Sequence, residues 1–376
     1  MIYLDSGATT LQKPAAVARA VAMAMGQLAS PGRGGHRPGR LAEELTFRCR
    51  MQAAELFHVG NPEQVIFTSN ATHGLNIAIA TLVKPGSTVL ISGYEHNAVT
   101  RALTAIPRLT VRVASGPLFD QEAMLEAFRK ELEQGVDVVI CNHVSNVFGF
   151  ILPVEEIGRL CREAGKPWIL DASQSAGTLP VHMDELGAAF IAMPGHKGLY
   201  GPQGTGLLLC REGIPCVPIL YGGTGSLSAL QEMPDFLPDR LEAGTHNVCG
   251  IAGLLEGLKF VQAKGVNRIL NHEQKLNEQM MQGLSHISGV EVFRGSRKTQ
   301  SGLCSFRAGQ MGCEELGEAL ARRGVAVRAG LHCAPLAHRF GGTEESGTVR
   351  VSFSAFNHGG EVSRTLEILR GMLRGE

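Results

Sequence analysis

The chain has 376 residues, with 35 basic and 35 acidic side chains and a formal net charge of zero. A neutral chain lacks the basic field that phosphate backbones require, which excludes nucleic acid as a main partner. An apolar share of 44% without net charge excludes disorder, and 47 glycines with no three-residue period exclude collagen.

The first ten residues lack a basic start followed by an apolar run, so no secretory signal is expected there. No stretch reaches the ~18 uncharged apolar residues of a membrane span. Helices are expected over Pro14–Leu28 and Arg40–Phe57, with a Gly/Pro-rich loop from Ser30 to Gly39 between them. Short β-rich runs then alternate with helical patterns. Strands are expected at Gln64–Thr68, Thr88–Ser92, Thr110–Val113, Val136–Asn142, Pro167–Asp171, Phe190–Met193 and Gly206–Cys210. Helices are expected near Ala71–Leu82, Asn97–Ala105, Gln121–Glu133 and Val154–Ala164. Seven nearly continuous apolar strands separated by helices indicate an α/β fold with a mainly parallel sheet covered on both faces. Ligands in such sheets bind beyond the carboxyl ends of the strands. After the sheet the pattern changes to a long helical stretch over about Gly250–Ile287, then strands near Val290–Phe293, Gly302–Phe306, Val325–Arg328 and Thr348–Phe353. Helices near Glu314–Arg323 and Glu361–Arg374 complete a smaller α+β domain. The expected division is a large domain over 16–245 and a small one from 1–15 with 246–376.

Nine cysteines, an odd number without a C-x-x-C pair, form neither a disulfide framework nor a zinc ribbon, and fit a reducing cytoplasm. No metal site is expected. His332, Cys333 and His338 have no further ligand cluster in support. Gly201–Gly206 imitates a nucleotide-binding glycine pattern but precedes a strand instead of opening a helix, so the dinucleotide reading fails. Arg33, His36 and Arg37 are expected on a solvated rim loop.

The chemistry concentrates in Trp168-Ile-Leu-Asp171-Ala-Ser-Gln174 and Met193-Pro-Gly-His196-Lys197-Gly. An Asp closes one apolar strand and a Lys follows another. Separately these are ordinary: such an Asp is often a turn residue and such a Lys is usually solvated. Together at neighbouring strand ends they suit pyridoxal 5'-phosphate (PLP), whose aldehyde takes a Lys amine and whose pyridine nitrogen is held protonated by a carboxylate. Arg350 lies in the apolar run Thr-Val-Arg-Val-Ser-Phe, where an unpaired charge is costly, so a purposeful partner is expected. Cys333 lies in the Gly/Pro-bounded loop Gly330-Leu-His-Cys-Ala-Pro335, whereas the other eight cysteines fall in helix, strand or core contexts.

These segments, with Leu4-Asp-Ser-Gly-Ala-Thr-Thr10, Phe67-Thr-Ser-Asn-Ala-Thr72, Glu95-His-Asn97, His143-Val-Ser-Asn146, Glu242-Ala-Gly-Thr245 and Arg328-Ala-Gly, occur in an order that resembles the class V aminotransferase family of fold-type I PLP enzymes. Within it, the chain is most similar to the group II cysteine desulfurases and selenocysteine lyases. The resemblance implies that Lys197 is the Schiff-base lysine, Asp171 faces the pyridine nitrogen, and Gln174 the ring hydroxyl. His96 would stack on the ring and act as an acid or base. Asn146 would reach the ring hydroxyl or the substrate carboxylate. Ala71, Thr72 and His196 would hold the phosphate, with Thr245 reaching it from the neighbouring subunit of a homodimer. Arg350 would bind the substrate carboxylate in bidentate fashion, and Arg328 would help position the substrate or the cysteine loop. Cys333 would be the nucleophile that takes sulfur from L-cysteine, or selenium from L-selenocysteine, before an acceptor protein or small thiol removes it; His332 is a candidate to activate that thiol. Another class V reaction, transamination or a different β-elimination, would not need Cys333, and a non-catalytic scaffold would need none of these groups. One departure from the family pattern is Pro194, where a Ser commonly precedes Gly-His-Lys; one phosphate contact is then lost, or is replaced by Ser173 or a water.

Overall fold

The computed structural model describes residues 1–32, 35–309 and 311–374. Arg33 therefore lies outside the described residues. In chain order the elements are β1 (Ile2–Tyr3), α1 (Ala15–Gln27), α2 (Arg37–Phe57), β2 (Val65–Thr68), α3 (Ala71–Leu82), β3 (Thr88–Ser92), α4 (Asn97–Thr104), β4 (Thr110–Ala114), α5 (Gln121–Glu133), β5 (Val138–Asn142), α6 (Val154–Glu163), β6 (Trp168–Asp171), α7 (Met183–Leu186), β7 (Phe190–Pro194) and β8 (Gly206–Cys210). There follow α8 (Val248–Lys264), α9 (Val266–Ser285), β9 (Val290–Phe293), β10 (Leu303–Ala308), α10 (Cys313–Arg322), β11 (Val325–Ala326), β12 (Arg328–Gly330), α11 (Pro335–Phe340), β13 (Thr348–Ser352) and α12 (Gly359–Arg374).

The seven expected strands form one sheet in the order β2-β8-β7-β6-β5-β3-β4, parallel except that β8 runs against both neighbours. Alternation along each strand splits the core in two. Leu90, Val139, Cys141, Leu170, Ile191 and Leu209 pack on one face under residues of α2, α5, α6 and α8. Val89, Ile91, Ile140, Ile169, Phe190 and Leu208 pack on the other under α3 and α4. Both faces are covered, so the strands need apolar residues at every position. Each fully buried large side chain contributes about 1.5–3 kcal/mol, which makes this three-layer core the main source of rigidity for what it carries.

A second core gathers Leu276, Met280, Phe306, Leu320, Val351 and Leu369 around the antiparallel sheet β12-β13-β10-β9, and Leu4 from the first strand region joins it. Two expectations are refined here. The helical stretch over Gly250–Ile287 divides into two helices, broken at Gly265, whose φ of 84° is open to glycine at little cost. The single strand over Val325–Arg328 is two: β11 pairs with β1, and β12 joins the edge of the second sheet. The chain changes sheets at Val327, which periodicity cannot register. Helix α2 also begins earlier than expected, at Arg37, because the His36 ring accepts the Gly39 N–H and caps it.

Candidate active site

The ends of the parallel strands meet on one side of the large sheet. Thr68, Ser92, Asn142, Asp171 and Pro194 are the last residues of β2, β3, β5, β6 and β7, and Asn142 stands opposite Asp171 in register. The loops leaving these ends enclose a pocket of about 110 Å³, lined among others by Ala71, Thr72, His96, Asn146, Asp171, Ser173, Gln174, Pro194, His196 and Lys197. Eight of the twelve sequence-predicted site residues are thus together. A larger hollow, about 740 Å³ beside His58, His182 and Lys264, contains none of them.

Lys197 keeps some accessible surface because it lines the pocket, but protein surrounds its amine and this desolvation pushes it down to about 8, partly opposed by Asp171. Its position depends on Gly195 and Gly198: a Cβ on Gly195 would collide with the Thr205 hydroxyl, and one on Gly198 with the Ala176 carbonyl. The Asp171 carboxylate is buried, and one oxygen accepts the Ser173 N–H at 2.9 Å. Gln174 donates to the Gly7 carbonyl at 2.9 Å.

Helix α3 starts directly after β2. Asn70 caps it by accepting the His73 N–H, which leaves the Ala71 and Thr72 amides at the first turn without intrahelical acceptors. An anion is favoured there. His196 lies nearby with Nδ1 against the Thr9 hydroxyl at 3.1 Å; burial pushes it down to about 4, so it is neutral. Ser173 lines the same pocket, and its hydroxyl makes no hydrogen bond among the described residues.

His96 caps α4: its Nδ1 accepts the Ala98 N–H at 3.0 Å, which leaves the proton of the neutral ring on Nε2. Burial lowers its basicity. The next amide, Asn97 N–H, donates to the Cys333 carbonyl at 2.8 Å. Asn146 donates to the His332 carbonyl at 2.8 Å, and its Oδ1 is buried without a partner. The Cys333 loop is therefore pinned to two elements that line the pocket. His332 and Cys333 both hold left-handed conformations, with φ of 50° and 57°, a cost of order 1–3 kcal/mol each unless the surroundings enforce it. Of nine free cysteines, Cys333 alone is exposed. The sequence offered His332 as an activator of that thiol, and the structure corrects this. Its Nε2 faces Thr348, and burial with the nearby Arg350 charge pushes it down to about 2, so it carries no positive charge.

Arg350 is buried on β13 and stands opposite Arg328 in register. One Nη donates to the Asn146 carbonyl at 2.8 Å and the other to Asp5 at 2.7 Å, while Nε has no partner. Neither arginine lines the 110 Å³ pocket, but both charges lower the basicity of Lys197 and His96. Thr245 is exposed and borders two other hollows, so its own chain does not bring it to this pocket.

Sequence reasoning missed two groups. Asp5, quoted only as part of a motif, is the ion-pair partner of Arg350. Beneath the pocket, Glu95 is wholly buried, accepts from the Ser92 hydroxyl at 2.5 Å and the Asn142 N–H at 2.8 Å, and is pushed up to about 8 by burial and by Asp171. A Glu three residues past the end of β3, directly before His96, was the available signal.

An amine kept partly neutral, a carboxylate two strands from a capping imidazole, and free amides at a helix start fit PLP. The unpartnered Asn146 Oδ1 is one more group awaiting a ligand. The family model of class V aminotransferases matches residues 2–365. A probable cysteine desulfurase of Methanothermobacter thermautotrophicus is 30% identical over 99% of this chain and 95% of its own length. One from Mycobacterium leprae is 31% identical over 100% and 91%. The apo structure of the Thermococcus onnurineus cysteine desulfurase superposes with a TM-score of 0.91 at 30% identity, covering 100% of this chain and 95% of that one. An Escherichia coli cysteine desulfurase with an S-sulfonic acid superposes at 0.87 and 24% identity, covering 99% and 94%, and adds support for the fold alone. The chain belongs to the class V aminotransferase family of fold-type I, PLP-dependent enzymes.

Proposed function

We propose that the chain is a cysteine desulfurase that converts L-cysteine to L-alanine and carries the sulfur as a persulfide on Cys333. The observation that carries this reading is the exposed Cys333 thiol, set in a left-handed turn whose Cys333 and His332 carbonyls accept hydrogen bonds from the Asn97 amide and the Asn146 side chain. A transaminase has no use for such a thiol. Full covering of 30%-identical relatives with that printed activity supports the same reading.

PLP supplies an electron sink for a carbanion at the substrate Cα. The residues of the chain do the rest. Asp171, at the floor of the pocket, would face the pyridine nitrogen. The free amides of Ala71 and Thr72 orient an anion, with the Ser173 hydroxyl placed to replace the contact that Pro194 cannot make. Arg350 takes the substrate carboxylate through its unpartnered Nε–H, with Arg328 adding charge at the rim. Lys197, its amine pushed down to about 8 by desolvation, removes the Cα proton and returns one to carbon. The Cys333 thiolate attacks the substrate sulfur: an S–S bond forms, the Cβ–S bond breaks, and its electron pair ends on carbon, which is protonated to give alanine.

The finer parts of the reading concern assembly. A homodimer in which Thr245 serves the neighbouring pocket is supported by its exposure and by the exposed Leu220, Tyr221, Leu227, Leu230 and Phe236 close by in sequence. A small domain that includes residues 1–15 is supported by Leu4 in the second core. Nine unpaired thiols suit a reducing cytoplasm, and among the described residues no helix is long and apolar enough to cross a membrane. A sulfur-acceptor protein or small thiol would take the persulfide.

The test is product analysis of Cys333→Ala with L-cysteine and L-selenocysteine. Alanine release from cysteine should fall by about 10³, or ~4 kcal/mol in barrier, with the cofactor's visible absorption retained. Unchanged release from cysteine would replace the proposal by another class V reaction. Retained turnover of selenocysteine alone would move the assignment to a selenocysteine lyase.

A further inference from the structure

The segment Asp5–Thr10, which no role has yet absorbed, touches the site at three points. Gly7 O accepts from Gln174, the Thr9 hydroxyl meets His196 Nδ1, and Asp5 binds Arg350. It is anchored beside Arg350 itself: Asp5 bridges to Ser352, and the Gly7 N–H donates to the Ser352 hydroxyl at 2.8 Å. The geometry points to Asp5 as a positioning residue that sets the orientation of Arg350 and thereby the affinity for the substrate carboxylate. This deepens the proposed function and rests on its assignment of Arg350.

The argument follows from the donors of one guanidinium. Arg350 side-chain exposure is 2%, so each unpaired N–H is costly. Asn146 O fixes one Nη and Asp5 the other, and two anchors on a planar fork fix its rotation. The Nε–H, buried and unpartnered, is then the donor held ready for an incoming carboxylate. Among the described residues Asp5 is the carboxylate paired with Arg350, whereas Arg328 across the strand pair and Lys197 add like charge. Without Asp5 the guanidinium would keep a single anchor and turn toward solvent or toward other acceptors.

Asp5→Asn preserves shape and removes the charge. It should raise KM for L-cysteine roughly tenfold with kcat within about twofold, and Asp5→Glu, which keeps the charge, should recover most of that loss. Cofactor absorption and far-UV circular dichroism establish that each variant is folded and loaded. In an Arg350→Ala background Asp5→Asn should add nothing to KM, a coupling that a merely structural role would not produce. If Arg350→Ala raises KM while Asp5→Asn leaves it within twofold of the wild type, or lowers it, the role of Asp5 is overturned and the assignment of Arg350 stands. If Arg350→Ala itself leaves KM unchanged, the carboxylate site lies elsewhere and both fall.

Discussion

Lys197 lies in the shelter of the large sheet's strand ends, with its backbone path fixed by glycines that admit no Cβ, while Cys333 stands in an exposed turn with two consecutive left-handed residues. The amine needs desolvation, because a lysine with an ordinary pKa is protonated and cannot act as a nucleophile or base near neutrality. The thiol needs the opposite. It must meet substrate sulfur and afterwards hand its own sulfur outward, so burial would defeat it. The two are joined through the backbone: the Asn97 amide and the Asn146 side chain hold the carbonyls of Cys333 and His332. Access and precision are thus reconciled by tying an exposed loop to a buried frame at its carbonyls, leaving the thiol free.

The sharpest way to break this contrast is selective alkylation. Buried thiols react only through opening, populated at about 10⁻³ to 10⁻⁶ in a stable protein. Six cysteines are buried and two are partly so. A brief iodoacetamide pulse followed by peptide mass spectrometry should therefore label Cys333 at least about a hundredfold faster than Cys49, Cys141 or Cys304. Comparable labelling of those core cysteines would show that the Cys333 turn is not the open one.

The sheltered side is tested by the pH dependence of cofactor loading. Apoprotein mixed with PLP should gain its covalent absorption band at a rate that rises about tenfold per pH unit below pH 8, as the neutral Lys197 amine becomes available, and levels off above it. Rapid-mixing absorbance reads this directly. A rate still climbing past pH 10 would mean that the amine is solvated, and that both nucleophiles share one environment.

How far the sequence carried differs between these regions for a physical reason. The sheet was legible because strands buried on both faces must be apolar throughout, and the pocket residues because they close such strands. The Cys333 loop was visible from its Gly/Pro boundaries. Its clamps were not, since Asn97 contributes a backbone amide, and a backbone donor has no sequence signature. His332 misled for a related reason: adjacency to Cys333 suggested an activator, but a left-handed turn points neighbouring side chains apart, and the ring is buried against Thr348. Asp5 and Arg350 are 345 positions apart, a pairing that no local pattern encodes.

The smallest effect probes the frame beneath Lys197. Glu95 is pushed up to about 8, so it stays protonated in the folded protein while its unfolded counterpart ionises near pH 4.5. The folded state then binds the extra proton between those values, and the Glu95 contribution to stability falls as pH rises through that window and is flat below it. Glu95→Gln resembles the protonated acid in shape and cannot ionise. Denaturant titrations of the holoprotein should find the variant close to wild type at pH 5 and progressively more stable toward pH 8, the difference growing by up to about 1.4 kcal/mol per pH unit. A difference independent of pH would mean that Glu95 is ionised against Asp171 after all. The floor of the pocket would then be held by a charge network, and Lys197 would owe its lowered pKa to less than the dry surroundings described above.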